Sequence, residues 1–252
     1  MSDDITRLLH GWPHDGDGEL QVRRLRGEDG ALKLQVRLDL GVMQMETTGR
    51  PDGRRPYGFD TLLEYFSHRA EEYRSEHGWY EGFELTPEEC ADIQREAMQF
   101  YHRRTACLAL QDYEPVIEDA DHNLAILDLL KAFARDRDDW LASEQFRAFI
   151  QCHRVQAQAL LHLARGEVKE AVLEVDRGLR MVREILAEQE RLDELEDCPE
   201  YLHLLELRRK LEARYHVGHR RRLQILLDEA LRREDPDQAA SLRAQLRDLG
   251  EE

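Results

Sequence analysis

The stretch LARGEVKEAVLEVDRGL (residues 163–179) repeats, at an offset of 55 residues, the pattern of the earlier stretch LALQDYEPVIEDADHNL (residues 108–124). In both, apolar residues recur at three- and four-residue spacing on either side of a short polar segment, which predicts a helix, a tight turn and a second helix. The matched positions are Leu108 and Leu163, Ala109 and Ala164, Tyr113 and Val168, Val116 and Ala171, Asp121 and Asp176, and Leu124 and Leu179. The sequence therefore predicts a fold built mainly from antiparallel helices.

The second copy, extended to ALLHLARGEVKEAVLEVDRGL (159–179), resembles a tetratricopeptide repeat, in which small residues let two helices pack closely and a polar turn reverses the chain. The repeat offset is longer than the roughly 34 residues of that family, and the family's Trp and terminal Pro positions are not matched. A plain antiparallel helical bundle explains the same pattern, so both architectures stay open. Either makes residues 59–198 a helical scaffold, with a connecting loop at RDRDD (135–139) and a break at EDCPE (196–200).

Residues 1–58 differ from the rest because they carry the alternation of a β-strand. Apolar residues at 32, 34, 36, 38 and 40 alternate with polar ones, LQVRRL (20–25) precedes them, and Asp29-Gly30 suits a hairpin turn. The segment 42–46 is a third strand or a bulged continuation. We expect a small antiparallel sheet of two or three strands, followed by a Gly- and Pro-rich loop at 47–58. The predicted fold class is mainly α with a small N-terminal β region (α+β).

Two helix starts follow the loop. Asp60 is predicted to be the N-cap of the periodic stretch TLLEYFSHRAEEY. Thr86-Pro87-Glu88-Glu89 combines a capping Thr, a Pro at the first helical position and a Glu that closes a capping box. The helix that it opens is expected to run to about Leu110.

Composition restricts the class of protein. Hydrophobic residues make up 41% of the chain and charged residues 35%, which suits long amphipathic helices. The net charge is −17, and residues 59–142 carry 20 acidic against 8 basic side chains, which disfavours nucleic acid lying along the whole chain. The four cysteines form no C-x-x-C pair. No secretory signal or membrane-spanning run is present, so we expect a cytoplasmic protein with reduced thiols and no membrane contact.

The C-terminal part, residues 199–252, is predicted to end in a helical hairpin. In LQILLDEALRREDPDQAASLRAQLRDL (223–249), one apolar stripe precedes the turn Glu234-Asp235-Pro236-Asp237 and a second follows it. Asp235 is placed to cap the second helix and Pro236 to open it. The stripes comprise Leu223, Leu226, Leu227, Ala230 and Leu231, and then Ala239, Ala240, Leu242, Leu246 and Leu249.

This hairpin resembles the UVR motif, a short C-terminal segment of the bacterial excision-repair proteins UvrB and UvrC that also occurs in Clp-type ATPases and in activators of protein arginine kinases. The shared features are the A-x-x-x-E-D turn, the Ala-Ala pair and Leu242-Arg243. The resemblance implies a bacterial protein whose hairpin contacts a Clp-type ATPase, a repair protein or a kinase, or a second copy of itself. The implied partner-binding residues are Leu227, Ala230, Ala239, Leu242, Arg243 and Leu246.

The sequence carries no recognisable catalytic or nucleotide-binding motif, so we expect a protein without enzymatic activity or cofactor. Three groups resemble metal ligands but fit a solvated helix face or a charged linker better. They are Asp119, Asp121 and His122; His216 and His219; and Asp136, Asp138 and Asp139. No metal site is predicted.

Two basic clusters are candidates for anion binding. Arg50, Arg54 and Arg55 lie on the Gly- and Pro-rich loop, where guanidinium groups suit a phosphate or a carboxylate. Arg220, Arg221 and Arg222 belong to a basic stretch at 208–222, which acidic residues of the scaffold could also compensate.

The sequence thus favours a non-enzymatic adaptor that presents a UVR-type docking hairpin to a partner protein. The alternative is an accessory protein of nucleotide-excision repair that touches DNA through residues 208–222. Gly218 is expected to interrupt the preceding helix and act as a hinge, because glycine costs about 1 kcal/mol in a helix interior. A hinge there predicts early proteolytic cleavage among the arginines at 220–222.

Overall fold

The computed structural model describes residues 4–16, 18, 20–233 and 236–248. The chain divides into two compact units, Met1–Gln158 and Ala159–Glu252. The boundaries drawn from the sequence, after residues 58 and 198, follow changes in composition, whereas the division between units follows packing. The two sets of boundaries therefore differ.

The first unit begins with a short helix, α1 (Thr6–His10), which the sequence did not predict, and a three-stranded sheet. Its strands are β1 (Val22–Arg26), β2 (Leu32–Leu38) and β3 (Gly41–Glu46), joined antiparallel in that order. Gly30 closes the first hairpin with a φ of 78°, a conformation that glycine adopts without steric cost. The predicted antiparallel sheet is confirmed.

Strand β2 is buried on both faces, although its alternation predicted one polar face in water. On one side Leu34 and Val36 enter the core. On the other side Gln35 accepts hydrogen bonds from Arg23 and donates one to Gln44, so polar side chains of the outer strands cover it. Burial of these polar groups is tolerated because each has a cross-strand partner.

The remaining helices of the first unit are α2 (Leu62–His77), α3 (Pro87–Ala109), α4 (Tyr113–Phe133), α5 (Arg137–Glu144) and most of α6 (Arg147–Ala164). The capping box of Thr86 and Glu89 is present, and α3 ends one residue before the predicted limit. The cap of α2 is Thr61 rather than Asp60, because the Thr61 hydroxyl accepts the Glu64 N–H. The predicted loop at 135–139 was partly wrong: its last three residues begin α5, where acidic side chains favour a helix N-terminus.

Among the apolar clusters of the described residues in this unit, two join three or more elements each, and a third links α4 to α6 through Leu124, Leu127 and Ile150. Of the first two, one joins α2, α3 and α4, with Phe66, Ile93 and Leu130 at its centre. The other packs the sheet on the helices, where Leu34 meets Cys107 and Val116. The sheet therefore lies against the end of α3 and the start of α4.

The second unit contains the end of α6, α7 (Val168–Glu188), a 3₁₀ turn (Leu192–Asp197), α8 (Pro199–Arg232) and α9 (Pro236–Asp248). Pro199 opens α8, as the sequence predicted. The first half of α8 packs against α7 and the second half against α9. One long helix thus forms part of two successive helical hairpins.

The two repeat copies share one backbone turn, which confirms a helix, a turn and a helix in each. Gln111, with a φ of 56°, occupies the position of Gly166, with a φ of 80°. In the first copy the N–H groups of residues 110, 111 and 112 donate to the carbonyls of residues 106, 108 and 107. In the second copy the same three bonds recur 55 residues later, from 165, 166 and 167 to 161, 163 and 162. Helices often end in this way, with a residue in the left-handed backbone conformation, because the turn lets the last helical carbonyls accept hydrogen bonds.

The expected break at Gly218 was wrong. Helix α8 runs without interruption for 34 residues, from Pro199 to Arg232. Packing on α7 and α9 supplies more free energy than the roughly 1 kcal/mol that a glycine costs in a helix. The second half of α8 therefore continues in the direction set by its first half.

Replacing Gly218 with alanine tests this continuity. A Cβ at Gly218 meets no atom of the described residues within 4 Å, so Gly218→Ala is expected to raise the free energy of unfolding by about 0.5–1 kcal/mol through helix propensity. The matched control is Gly166→Ala. It also has open space around the added Cβ, but its positive φ of 80° predicts a loss of about 1–2 kcal/mol. Urea denaturation measures both, and a loss of stability in Gly218→Ala would contradict an uninterrupted helix.

Candidate interaction surfaces

The C-terminal hairpin is closed by its own apolar side chains. Leu223 and Leu227 of α8 pack on Ala239 and Leu242 of α9, with Leu246 at the margin, and we call these five residues the hairpin core. Four of the six implied partner-binding residues, Leu227, Ala239, Leu242 and Leu246, thus face the other helix of the hairpin. Arg243 is exposed, and the side chain of Ala230 lies outside what the structure describes.

The hairpin core leaves other apolar side chains in solvent. Ile225 is 51% exposed, Leu226 37% and Leu231 48%. In the first half of α8 the fully buried residues are Leu204 and Leu211. At 3.6 residues per turn, Leu223 and Leu227 of the second half point in a direction about 120° away from these two around the helix axis. Helix α8 thus presents different faces in its two halves.

Helix α7 covers only the first half of α8. The Arg208 guanidinium donates to the Asp176 carboxylate at 2.6 Å, and the Lys169 ammonium lies 5.8 Å from the centre of the Tyr215 ring. These two contacts fix an antiparallel register in which the start of α7, Val168, lies near residue 216 of α8. The rest of α8 extends beyond the start of α7 by roughly 24 Å.

The face of α8 that α7 covers continues uncovered into this extension. An α-helix makes about five turns in roughly 18 residues, so residues that are about 18 apart lie on the same line along the helix. On this line lie Leu204, Leu207 and Arg208 in the covered half, and Arg222, Ile225 and Leu226 in the extension. Gly218 lies on that line between the two groups. We call Gly218, Arg222, Ile225 and Leu226 the extension face.

The basic stretch at 208–222 separates into paired and unpaired residues. Arg208 pairs with Asp176 and Glu212, while Arg209 and Lys210 both pair with Glu206. Compensation by the scaffold, one of the two sequence-based interpretations, therefore describes Arg208 through Asp176, whereas Arg209 and Lys210 are compensated by Glu206 of α8 itself. Among the described residues, Arg220, Arg221 and Arg222 have no ion-pair partner, and residues 213–227 contain no acidic side chain at all.

The three arginines of the loop at 47–58 are placed very differently. The side chain of Arg50 is largely buried and contacts the carboxylates of Asp52, at 3.2 Å, and Glu96, at 3.6 Å. Arg55 is exposed and pairs with Asp60, and Arg54 is exposed. A carboxylate, one of the two kinds of partner predicted for these arginines, is thus supplied to Arg50 within the chain, and of the three only Arg54 and Arg55 face solvent.

Glu96 belongs to a buried polar network that the sequence analysis missed. Its carboxylate is fully buried and accepts the N–H groups of Leu62 and Leu63, so it caps α2 from a neighbouring helix. His122 lies 3.2 Å from the same carboxylate. The available signal was that Glu96 and Arg103 occupy positions in the stripe Ile93, Glu96, Phe100, Arg103 and Cys107, where a core helix normally carries apolar residues.

Arg103 connects three parts of the first unit. Its guanidinium binds the Asp119 carboxylate through both oxygens and donates to the backbone carbonyls of Glu46 and Gly49. Burial raises the pKa of Asp119, and Arg103 and Arg104 oppose that shift. The pair therefore fastens the end of the sheet to α3 and α4.

Arg104, the next residue, is 1% exposed, and its Nε and Nη1 atoms have no hydrogen-bond partner among the described residues. Both oxygens of Asp119 are already engaged by Arg103. Burial lowers the pKa of Arg104 to about 10, because its charge is removed from water without a bonded counterion.

Three of the residues considered as metal ligands have other partners, and the side chain of His216 lies outside what the structure describes. Asp119 binds Arg103, Asp121 binds Arg154, and His122 contacts Glu96. No group of three or more possible ligands converges within the part of the chain that the structure describes. None of the helices in that part is long and apolar enough to cross a membrane.

Comparisons with known proteins add no relative. No protein-family model, no curated protein and no solved structure matches this chain. The resemblance to the UVR motif therefore depends on the residues quoted for it alone.

Adjacent arginines are expected to respond oppositely to the same substitution. Arg103→Met leaves Asp119 buried without its partner and should lower the free energy of unfolding by about 3–5 kcal/mol. Arg104→Met removes an unpaired buried charge at similar volume and should raise it by about 1 kcal/mol. Urea denaturation at pH 7 compares the two. Equal losses in both variants would show that Arg104 has an equally strong counterion.

The cysteines yield a pH-dependent expectation. All four are free and buried, and burial raises the pKa of Cys90 to about 11 and of Cys107 to about 12. Because only the thiolate is reactive, native protein at pH 8 should consume almost no iodoacetamide, while protein unfolded in urea at the same pH should be modified at all four positions. Mass spectrometry reads the result, and rapid modification of Cys107 in the native protein would contradict its burial.

Proposed function

We propose that this protein is a non-enzymatic adaptor whose C-terminal hairpin docks onto a partner protein. The observation that carries the proposal is the extension face, where apolar side chains and an unpaired arginine continue a helix-packing surface beyond the end of the helix that covers it. An apolar surface with a charged rim is typical of a protein interface. Residues 213–227, a stretch of 15 residues without Asp or Glu, contrast with the strongly acidic scaffold.

The hairpin core supports this role by giving the arm a fixed shape. Four buried side chains, Leu223, Leu227, Ala239 and Leu242, hold α9 on α8, so less conformational entropy is lost when a partner binds. The resemblance to the UVR motif points the same way, since that motif is a contact surface. It implies a bacterial setting and a Clp-type ATPase, a repair protein or a kinase as the partner, and the cytoplasmic setting that we propose comes from the sequence instead.

A second candidate function rests on the unpaired arginines at 220–222. These residues favour contact with phosphate, which fits an accessory protein of DNA repair. The three side chains point in directions about 100° apart around α8, and the apolar part of the extension face has no role in phosphate binding. We therefore place this candidate second.

Opening the hairpin tests the adaptor. Leu242→Asp puts a charge into the hairpin core and should detach α9, so that the second half of α8, which packs on α9, loses the support that keeps the extension face in shape. Affinity capture with full-length protein from bacterial extract, read by mass spectrometry, should lose specific partners with this variant. The matched control is Leu173→Asp, the same change at an exposed leucine of α7, which should retain them. Identical captures by both variants would refute docking through the hairpin.

Salt dependence tests the second candidate. DNA contact through the arginines predicts an affinity that falls steeply between 50 and 200 mM salt, as counterion release requires, and that weakens further in Arg220→Ala/Arg221→Ala. A mobility-shift assay with duplex DNA measures both. Absence of a shift at low salt would exclude this function.

A further inference from the structure

We infer that the extension face binds an acidic amphipathic helix of the partner, which packs on α8 as a continuation of α7. This inference depends on the proposed adaptor function and adds to it the chemistry of the partner. It follows from three properties of the face: its line along α8, its unpaired charge and its glycine.

The line along the helix provides the geometry. Leu204 and Leu211 are buried where α7 covers α8, and Ile225 and Leu226 are the apolar residues on the same line where α7 is absent. A second helix placed end to end with α7 would meet the same ridge of side chains at the same spacing. It would leave α9 undisturbed, because the hairpin core lies about 120° away around α8.

Charge specifies an acidic partner. In the covered half, α7 supplies Asp176 to Arg208. In the uncovered half, Arg222 has no acidic residue within two turns N-terminal to it and none before Asp228 on the C-terminal side. The partner helix therefore has to supply a carboxylate to Arg222, which would form the same kind of charge-assisted contact as Arg208 makes with Asp176.

Gly218 provides the third indication. It costs α8 about 1 kcal/mol relative to alanine, and no atom of the residues that the structure describes lies near enough to require a glycine. A missing side chain on the packing line allows the backbone of a second helix to approach closely. We therefore expect a large side chain of the partner helix, or its backbone, to occupy the space over Gly218.

Two synthetic peptides of 21 residues, the length of α7, test the inference on the full-length protein. Both carry leucines at one helical face, and one has glutamate and the other lysine at every flanking position. Fluorescence anisotropy with labelled peptide is expected to show binding of the glutamate peptide and much weaker binding of the lysine peptide.

Adjacent arginines again provide the matched pair of variants. Arg222→Glu should lower the affinity for the glutamate peptide about tenfold or more and raise that for the lysine peptide, because the charge on the face is reversed. Arg221→Glu, about 100° away around α8, should change either affinity less than about twofold. Gly218→Leu should weaken binding of the glutamate peptide by closing the space above it. Both arginines are exposed, and circular dichroism verifies that the variants stay folded.

Several results would overturn the inference. One is that the glutamate peptide does not bind at concentrations up to about 1 mM, which corresponds to a very weak affinity. Another is that Arg221→Glu and Arg222→Glu change the affinity for the glutamate peptide equally, as expected if the arginines contact DNA. A dimer in sedimentation that Arg222→Glu dissociates would assign the face to a second copy instead. Partners captured from cells that depend on Leu242 but not on Arg222 would refute the acidic helix and leave the adaptor function standing.

Discussion

The first unit depends on one buried ion pair. Arg103 and Asp119 connect two helices, and the same guanidinium holds the carbonyls of Glu46 and Gly49 at the end of the sheet. A buried pair is stable only if its remaining hydrogen-bonding groups are satisfied, and here those bonds are what attach the sheet to the helices. The neighbouring Glu96 does the same for α2, whose first N–H groups it accepts.

The second unit depends instead on the continuity of a single helix. Because α8 belongs to two hairpins, the arm formed by its second half and α9 takes its direction from the packing of the first half on α7. A hinge at Gly218 would have uncoupled the arm from the scaffold. The unbroken helix gives the extension face a fixed orientation relative to α7, which favours recognition by a preformed surface.

Both proposed functions belong to the second unit, because the charged side chains inside the first unit serve that unit's own structure. In the first unit the buried charges are engaged with one another or enclosed, and Arg50 contacts carboxylates of its own chain. In the second unit Arg220, Arg221 and Arg222 have no acidic residue on the adjoining turns of α8. These three arginines, which have no ion-pair partner among the described residues, are in the arm, and an acidic scaffold with a basic, partly apolar arm fits the proposed binding of acidic partners there.

The sequence by itself determined the elements whose causes are local. The capping box at Thr86, the strand alternation at 32–38, the proline that opens α8 and the repeated turn at 110–112 and 165–167 all depend on neighbours within a few residues. Tertiary structure decided what depends on distant partners: the cap of α2 by Glu96, the burial of both faces of β2, and the assignment of Leu227 and Leu242 to the hairpin core. Periodicity shows that a face is apolar, but only the register of α7 on α8 shows which apolar residues remain uncovered. For the same reason, local propensity overestimated the effect of Gly218, because the packing of a long helix outweighs the cost of one glycine.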